Sequence, residues 1–213
     1  MEITRAAWAS QCSPSLFHAF LDAGFRRSGK LIYQPACRGC RACQPIRVPT
    51  ATFRPSKSQR RCQRRNEDLS LTVASPAPTP EKHALYRRYL REWHGSTSDE
   101  DFKAFAQFLY DSPVESLEFS YRDHDGRLLA VGICDAAGTA LSSVYFYFDP
   151  LFADRGLGTY GALREILFAR ERGMEYYYLG YWIAACRRMS YKSAFRPYEI
   201  LWPDQAWRPV PCE

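Results

Sequence analysis

Seven residues, Ala74-Ser75-Pro76-Ala77-Pro78-Thr79-Pro80, alternate prolines with small side chains. Each proline fixes φ and removes a backbone donor, so neither a helix nor an internal strand runs through such a segment; it reads as a stiff, exposed linker. The chain is thereby divided into a domain over residues 1–74, a linker over 75–80 and a domain over 81–213. Charge is divided as well. Between Ala23 and Asn66 stand twelve Lys or Arg and no Asp or Glu, while the remainder carries 17 basic and 23 acidic residues. A formal net charge of +6 thus hides a basic lobe on an acidic body. Segregation of this kind produces a field that attracts polyanions or acidic groups and speeds their arrival.

With 213 residues, 46% hydrophobic and 15% aromatic, the chain is globular and long enough to bury a sizeable core. No apolar run approaches the roughly 18 residues of a membrane span, and no positively charged start leads into an apolar signal core. The cytoplasm is the expected compartment, with no membrane partner. Three of the eight cysteines form Cys37-x2-Cys40-x2-Cys43. Such a triplet can place three thiolates on one metal or cluster, with Cys12 and Cys62 as candidate fourth ligands. Zinc, an iron–sulfur cluster, and three reduced thiols in a small loop-rich core are the alternatives, and spacing alone does not choose among them.

Periodicity supplies the elements. Ser13-Pro14 opens an amphipathic helix stopped by Gly24. Residues 31–34 and 46–53 read as strands around the cysteine loop. Pro55-Ser56 starts a helix through Asn66 that is basic on its outer face, and residues 69–73 form a strand. Beyond the linker, 81–94 and 98–110 are helical in period, with Thr79 and Ser98 as caps. Strands follow at 115–122, 128–135 and 140–148, the first two joined by a turn at Asp123-His124-Asp125-Gly126. Arg155-Gly156-Leu157-Gly158-Thr159 opens a helix through Arg172; residues 176–182 form a strand and 199–202 an edge strand. The fold class is α+β. The order of elements after the linker resembles the GNAT (N-acyltransferase) fold, with a small basic cysteine-containing domain in front of it.

Three features carry chemistry. A glycine turn feeding a helix aims free backbone N–H groups beyond the helix end, a natural anion site. GNAT enzymes bind the pyrophosphate of acyl-CoA with Arg-x-x-Gly-x-Gly/Ala at this point. Here Tyr160 stands where a small residue is expected and would crowd that path; a plain helix start packed through glycines is the alternative. The basic helix, with Lys57, Arg60, Arg61, Arg64 and Arg65, together with Arg26 and Arg27, suits phosphates or carboxylates, arginine forks being able to bind either in bidentate fashion. Finally, Tyr176-Tyr177-Tyr178-Leu179-Gly180-Tyr181-Trp182 holds more hydroxyls than a simple core needs. Buried hydroxyls require partners, so some should line a polar cleft.

Longer motifs point to a family. Gly24-Phe25-Arg26-Arg27-Ser28, Tyr33-x-Pro35-x-Cys37-x-x-Cys40-x-Ala42-Cys43-x-Pro45-x-Arg47, Phe53-x-Pro55-Ser56-Lys57-Ser58-Gln59-Arg60-Arg61, Leu157-Gly158-Thr159-Tyr160 and Tyr178-Leu179-Gly180-Tyr181-Trp182-Ile183 resemble the arginyl-tRNA–protein transferase family, over about residues 16–201. Within that family the chain looks like the bacterial aspartate/glutamate leucyltransferase branch. The resemblance implies a GNAT-type domain that moves an aminoacyl group, leucyl in this branch and arginyl in others, from aminoacyl-tRNA to the α-amine of proteins beginning with Asp or Glu. The product carries a degradation signal of the N-end rule pathway, and no cofactor is required. Relatives have a longer start with a Cys-Pro-Tyr-Leu-like segment, whereas this chain opens Met1-Glu2-Ile3-Thr4 and places Cys12 in an unmatched context.

An aminoacyl ester is already activated, so the demands are positioning an amine and stabilising an oxyanion. Tyr181, Tyr191, Lys192 and Glu199 are expected around the reacting atoms. Arg26, Arg27, Lys57, Arg60 and Arg61 are expected to read the acceptor carboxylate, and Arg64 and Arg65 the tRNA phosphates. A CoA-dependent N-acetyltransferase and a zinc-dependent nucleic-acid-binding module are the rival readings.

Overall fold

The computed structural model describes residues 4–97 and 100–210. The chain opens with β1 (Thr4–Trp8) and α1 (Pro14–Asp22). The Ser13 hydroxyl accepts from the Leu16 N–H to cap α1, whose buried face is Phe17 and Leu21. Next come β2 (Arg26–Ser28), β3 (Leu31–Pro35) and β4 (Gln44–Pro49). Helix α2 (Lys57–Arg65) begins in a capping box, in which the Ser56 hydroxyl accepts from Gln59 N–H and the Gln59 side chain accepts from Ser56 N–H. Gln59 is its one buried residue, so the arginines of α2 face solvent.

β5 (Ser70–Ala74) leads through the proline segment to α3 (Pro80–His94), which starts at the Thr79 cap with Pro80 in the first turn and ends at Gly95 with φ +67. Helix α4 (Phe102–Leu109) is capped by Asp101, whose carboxylate accepts from Ala104 N–H at 2.7 Å; the expected cap, Ser98, lies outside the described residues. The meander β6 (Ser116–Arg122), β7 (Leu128–Ala137) and β8 (Ala140–Phe148) follows. Then come α5 (Leu157–Glu171), β9 (Tyr176–Trp182), the short α6 (Arg187–Ser190), β10 (Glu199–Leu201) and β11 (Trp207–Pro209).

Two sheets result. The smaller has the order β1-β3-β2; the larger runs β11-β10-β4-β9-β8-β7-β6-β5. The larger sheet draws β4 and β5 from before the prolines and the other strands from after them. Ile46, Val48, Phe53 and Leu69 pack in one apolar cluster with Phe119, Val131, Leu163 and Tyr177. Residues 75–80 are therefore a connection between β5 and α3, not a divide between two cores. Alternation along β8 sets the layers. Tyr147 meets Tyr86 of α3, while Phe146 lies against Gly161 of α5, where a Cβ would overlap its ring. Helices α3 and α5 thus cover opposite faces.

One irregularity matters most. All neighbours in the larger sheet are antiparallel except β8 and β9, which run parallel and pair only over Ala140–Ser142 and Tyr176–Tyr178. Beyond that point the strands part.

Candidate active site

The opening between β8 and β9 holds a cavity of about 460 Å³. Its lining includes Arg26 from β2, Ser142 from β8, Gly158 and Glu165 from α5, Tyr177 and Tyr181 from β9, and Tyr191 and Lys192 from the 3-10 turn after α6. Three of the four residues expected around the reacting atoms, Tyr181, Tyr191 and Lys192, are brought together there.

Arg26 is buried. It donates to Ser142 Oγ at 3.0 Å and to the Gly180 carbonyl at 3.1 Å, with its guanidinium 5.3 Å from the centre of the Tyr178 ring. Its Nε has no hydrogen-bond partner, and burial pulls its pKa down. Lys192 Nζ donates to the Tyr181 carbonyl at 2.7 Å. Burial first and the Arg26 charge second lower its pKa to about 8. Gly180 sits at φ +90, and a Cβ there would lie 3.4 Å from Lys192 Nζ. Among the described residues, neither Arg26 nor Lys192 forms an ion pair with a carboxylate. A buried and a half-buried cation, neither ion-paired, are costly to hold together unless an anion arrives.

Arg27, the next residue in the chain, has the opposite surroundings. Its Nε and Nη2 bind Asp135 at 2.7 and 2.8 Å, both side chains being fully buried, and Ser116 donates to the same carboxylate at 2.7 Å. Arg27 is a structural ion pair and is not free to read a substrate. Arg27 and Asp135 line the cavity as a closed pair, whereas Glu199 does not line it. It accepts from Arg47 Nε at 2.7 Å, in a cluster where Arg47 also bonds Asp22 at 2.7 Å and the Tyr178 hydroxyl at 3.1 Å. The Tyr176 and Trp207 rings flank that guanidinium at 3.7 and 4.3 Å. Through this bond Glu199 joins β10 to β4.

The basic residues of α2 separate by flank. Arg61 and Arg65 line a pocket with Gly156, Thr159 and Tyr191, so its Tyr191 wall is shared with the cavity. Arg60 and Arg64 line a different groove, with Tyr160 and Arg164 of α5. Lys57 is exposed at the start of α2 and borders neither. Lys57, Arg60 and Arg61, expected as carboxylate readers, and Arg64 and Arg65, expected on tRNA phosphates, instead divide between two sides of α2, and none lines the cavity.

Helix α2 also alters the glycine turn. Arg155 Nε donates to Asn66 Oδ1 at 3.0 Å, and its Nη2 donates to the Arg65 carbonyl and the Asp68 carboxylate. In return Asn66 Nδ2 donates to the Arg155 carbonyl at 2.9 Å, and Cys62 Sγ lies 3.4 Å from the Gly156 carbonyl. The arginine that would meet a pyrophosphate is held by the end of α2. Tyr160 is not the obstruction: it is buried against Tyr121, ring centres 5.7 Å apart.

The cysteine triplet, Cys37, Cys40 and Cys43, lies in the loop between β3 and β4. Among the described residues no group of three or more His, Cys, Asp or Glu is arranged to hold a metal ion. The candidate fourth ligands point elsewhere: Cys62 to the Arg155 and Gly156 carbonyls, Cys12 to the Ser13 carbonyl. Residues 36–43 instead form an irregular loop along a second groove of about 390 Å³, described below.

Glu165 and Ser142 were missed by sequence reasoning. Glu165 is 1% exposed and accepts a hydrogen bond from the Tyr177 hydroxyl, while its Oε1 has no partner. Burial pushes its pKa up to about 7, against the opposing pull of that hydroxyl and of Cys134. A usable signal existed: Gly158, Ala162 and Glu165 are spaced i, i+4, i+7, on one helix face with two small residues, and all three line the cavity. Ser142 offered none, since its role depends on Arg26, 116 residues away.

Comparison with known proteins agrees with these features. Residues 2–61 match the family model described as "Arginine-tRNA-protein transferase, N terminus", and residues 81–202 the one described as "Arginine-tRNA-protein transferase, C terminus". The chain is similar to the aspartate/glutamate leucyltransferase of Saccharophagus degradans, 39% identical over 196 residues, covering 90% of this chain and 82% of that protein. It is also similar to that of Nitrosococcus oceani, 44% identical over 193 residues, covering 90% and 81%. Among solved structures it is similar to the GCN5-related glucosamine N-acetyltransferase region of a fungal multi-domain β-N-acetylglucosaminidase, with TM-score 0.50 and 12% identity over 87% of this chain and 21% of that one. That likeness is of fold alone, and it agrees with the GNAT-like order of elements. No helix among the described residues is long and apolar enough to cross a membrane.

Proposed function

Because this chain belongs to the arginine-tRNA–protein transferase family, we propose that it transfers leucine from leucyl-tRNA to the α-amine of proteins beginning with Asp or Glu, in the cytoplasm. The observation that carries this reading is the pair of cations, buried Arg26 and half-buried Lys192, that line one cavity and, among the described residues, form no ion pair with a carboxylate. The side chain of an acceptor that begins with Asp or Glu supplies the missing charge, and a charge-assisted hydrogen bond to a buried cation is the strong kind.

The donor approaches from α2. Arg61 and Arg65 take backbone phosphates of the tRNA end, and Tyr191 forms the wall past which the ester enters. Arg60, Arg64 and Lys57 extend the same positive field outward and contribute to affinity in a salt-dependent way. In the reaction the acceptor nitrogen bonds to the ester carbonyl carbon, the carbon–oxygen bond to the terminal ribose breaks, and a proton passes from nitrogen to the released ribose oxygen. An α-amino group has a reference pKa of roughly 8, so the amine must first shed a proton. The Glu165 carboxylate, with a pKa pushed up to about 7, accepts it, the Tyr177 hydroxyl passing its own proton to Glu165 as it takes the one from nitrogen. Lys192 and Tyr181 hold the reacting groups in place, and such positioning can be worth roughly 7–11 kcal/mol. CoA chemistry is disfavoured by the α2 end closing over the glycine turn.

The test incubates the protein with labelled leucyl-tRNA or arginyl-tRNA and peptides beginning Asp, Glu, Lys or Ala. Label is expected on the Asp and Glu peptides from leucyl-tRNA alone. Transfer to the Lys peptide, or from arginyl-tRNA only, would overturn this assignment.

A further inference from the structure

The cavity must admit two macromolecules at once, and only the first residue of the acceptor fits beside the ester. Its remaining chain has to leave. Two neighbouring depressions share a wall with the cavity: the Arg61 and Arg65 pocket through Tyr191, and a groove of about 390 Å³ through Tyr181. The Tyr181 wall is fixed, its hydroxyl donating to the Gly24 carbonyl at 2.8 Å.

The second groove has a different chemistry from the first. One side is the cysteine loop, with Cys37, Gly39 and Cys40; the other carries Trp202 and Pro203, just past β10. The loop, residues 36–43, belongs to no strand or helix and turns at Cys37–Cys40, where the Cys40 N–H donates to the Cys37 carbonyl at 3.2 Å. Trp202 is 43% exposed. Arg5 and Arg41 stand along the groove, both exposed, and among the described residues neither forms an ion pair with a carboxylate. An irregular backbone, an exposed indole and a few cations suit an extended peptide, which binds through main-chain hydrogen bonds and shallow side-chain contacts.

Resting on the transferase reading above, we propose that this groove holds the acceptor polypeptide from its second residue onward, as an extended chain, and that Arg5 and Arg41 favour acidic side chains there. The tRNA enters past Tyr191 and the acceptor leaves past Tyr181, so the two do not compete for space. The Cys37-x2-Cys40-x2-Cys43 loop thereby has a role as a peptide rest.

Binding without tRNA tests this independently of transfer. A hexapeptide Asp-Glu-Glu-Ala-Ala-Lys, labelled on its C-terminal lysine, is titrated with the protein and followed by fluorescence anisotropy, with Asp-Ala amide as competitor. The hexapeptide is expected to bind about tenfold more tightly than the dipeptide, that is by about 1.4 kcal/mol. Trp202→Ala and Arg41→Glu are expected to remove that advantage. Arg41→Glu should also reverse the preference when lysines replace the two glutamates. Equal affinity of the two peptides, or equal weakening of both by these exposed substitutions, overturns the groove assignment. Weakened leucyl-tRNA binding in place of weakened hexapeptide binding does the same, since it would put nucleic acid in the groove. Absence of leucyl transfer with the length effect intact would instead sink the donor assignment and leave the peptide groove standing.

Discussion

Two arginine centres lie against the same strand, β9, and have opposite surroundings. Arg47 meets Asp22, Glu199 and the Tyr178 hydroxyl, with Tyr176 and Trp207 across its faces. Arg26 touches the same Tyr178 ring yet hydrogen-bonds only a serine hydroxyl and a carbonyl, and its charge depresses the pKa of Lys192. The first centre is electrostatically complete. The second is a cation awaiting an anion. Satisfied charge joins α1, β4 and β10 to β9; unsatisfied charge marks where something must bind.

The largest effect should come from breaking the complete centre. Arg47→Leu strands Glu199 beside an apolar side chain while Asp22, 47% exposed, can turn to water, so the cost is about 3 kcal/mol, the low end for a broken buried pair. Urea unfolding measures it; a midpoint unchanged from the parent would mean that the cluster does not hold the strands. Next, Arg26→Met should leave stability level or slightly higher, because a buried unpaired charge is lost. Transfer to Asp and Glu peptides should fall by about 30- to 1,000-fold, the 2–4 kcal/mol expected on removing one partner of a buried charge pair, with leucyl-tRNA affinity intact. Unfolding comparable to the Arg47 variant would erase the contrast between the two centres.

The third prediction sharpens the contrast by pH. The buried Glu165 carboxyl is held up at about 7 from an ordinary value of 4.5, so between those values the folded state binds more protons than the unfolded one. Stability contributed by the neutral acid is complete at low pH and is lost as pH rises through about 7. The titratable groups facing it, Tyr177, Cys134, Tyr121 and Tyr191, are all pushed upward and stay neutral across this window. Glu165→Gln cannot ionise. It should therefore be more stable than the parent at pH 8, by at most on the order of 3 kcal/mol, and converge with it near pH 5, while transferring leucine more slowly. Melting temperatures at the two pH values, set against single-turnover rates, check it; a constant gap would mean that Glu165 does not titrate there.

What the sequence made legible was what is local. The caps at Ser13, Ser56 and Thr79 were readable because each bonds a backbone group three residues on. The meander and the glycine turn into α5 were readable from period and punctuation. The edge strands β1, β2 and β11 were not, being three to five residues long with little or no alternation between buried and exposed positions. In the site, Tyr181, Tyr191 and Lys192 could be picked from a dense aromatic block. Arg26 and Arg27 could not be told apart, since what distinguishes them is Ser142 and Asp135, 116 and 108 residues away. Glu199 was misread for the same reason: its partner Arg47 is 152 positions distant. Chemistry between near neighbours survives in a linear text; chemistry set by a far partner has to be folded to be seen.

The shared sheet has a bearing on synthesis. Strand β4 gains its first partner only when β9 arrives, Arg47 meeting Tyr178 after 131 further residues, and its second, β10, later still. At about 5–20 residues per second, the ribosome leaves that strand's edge bare for on the order of ten seconds. During that interval the nascent chain carries twelve uncompensated cations ahead of most of the acidic residues that will balance them. Mutual repulsion along the emerging segment acts as its own guard against sticking to a neighbour, until the rear half closes the sheet.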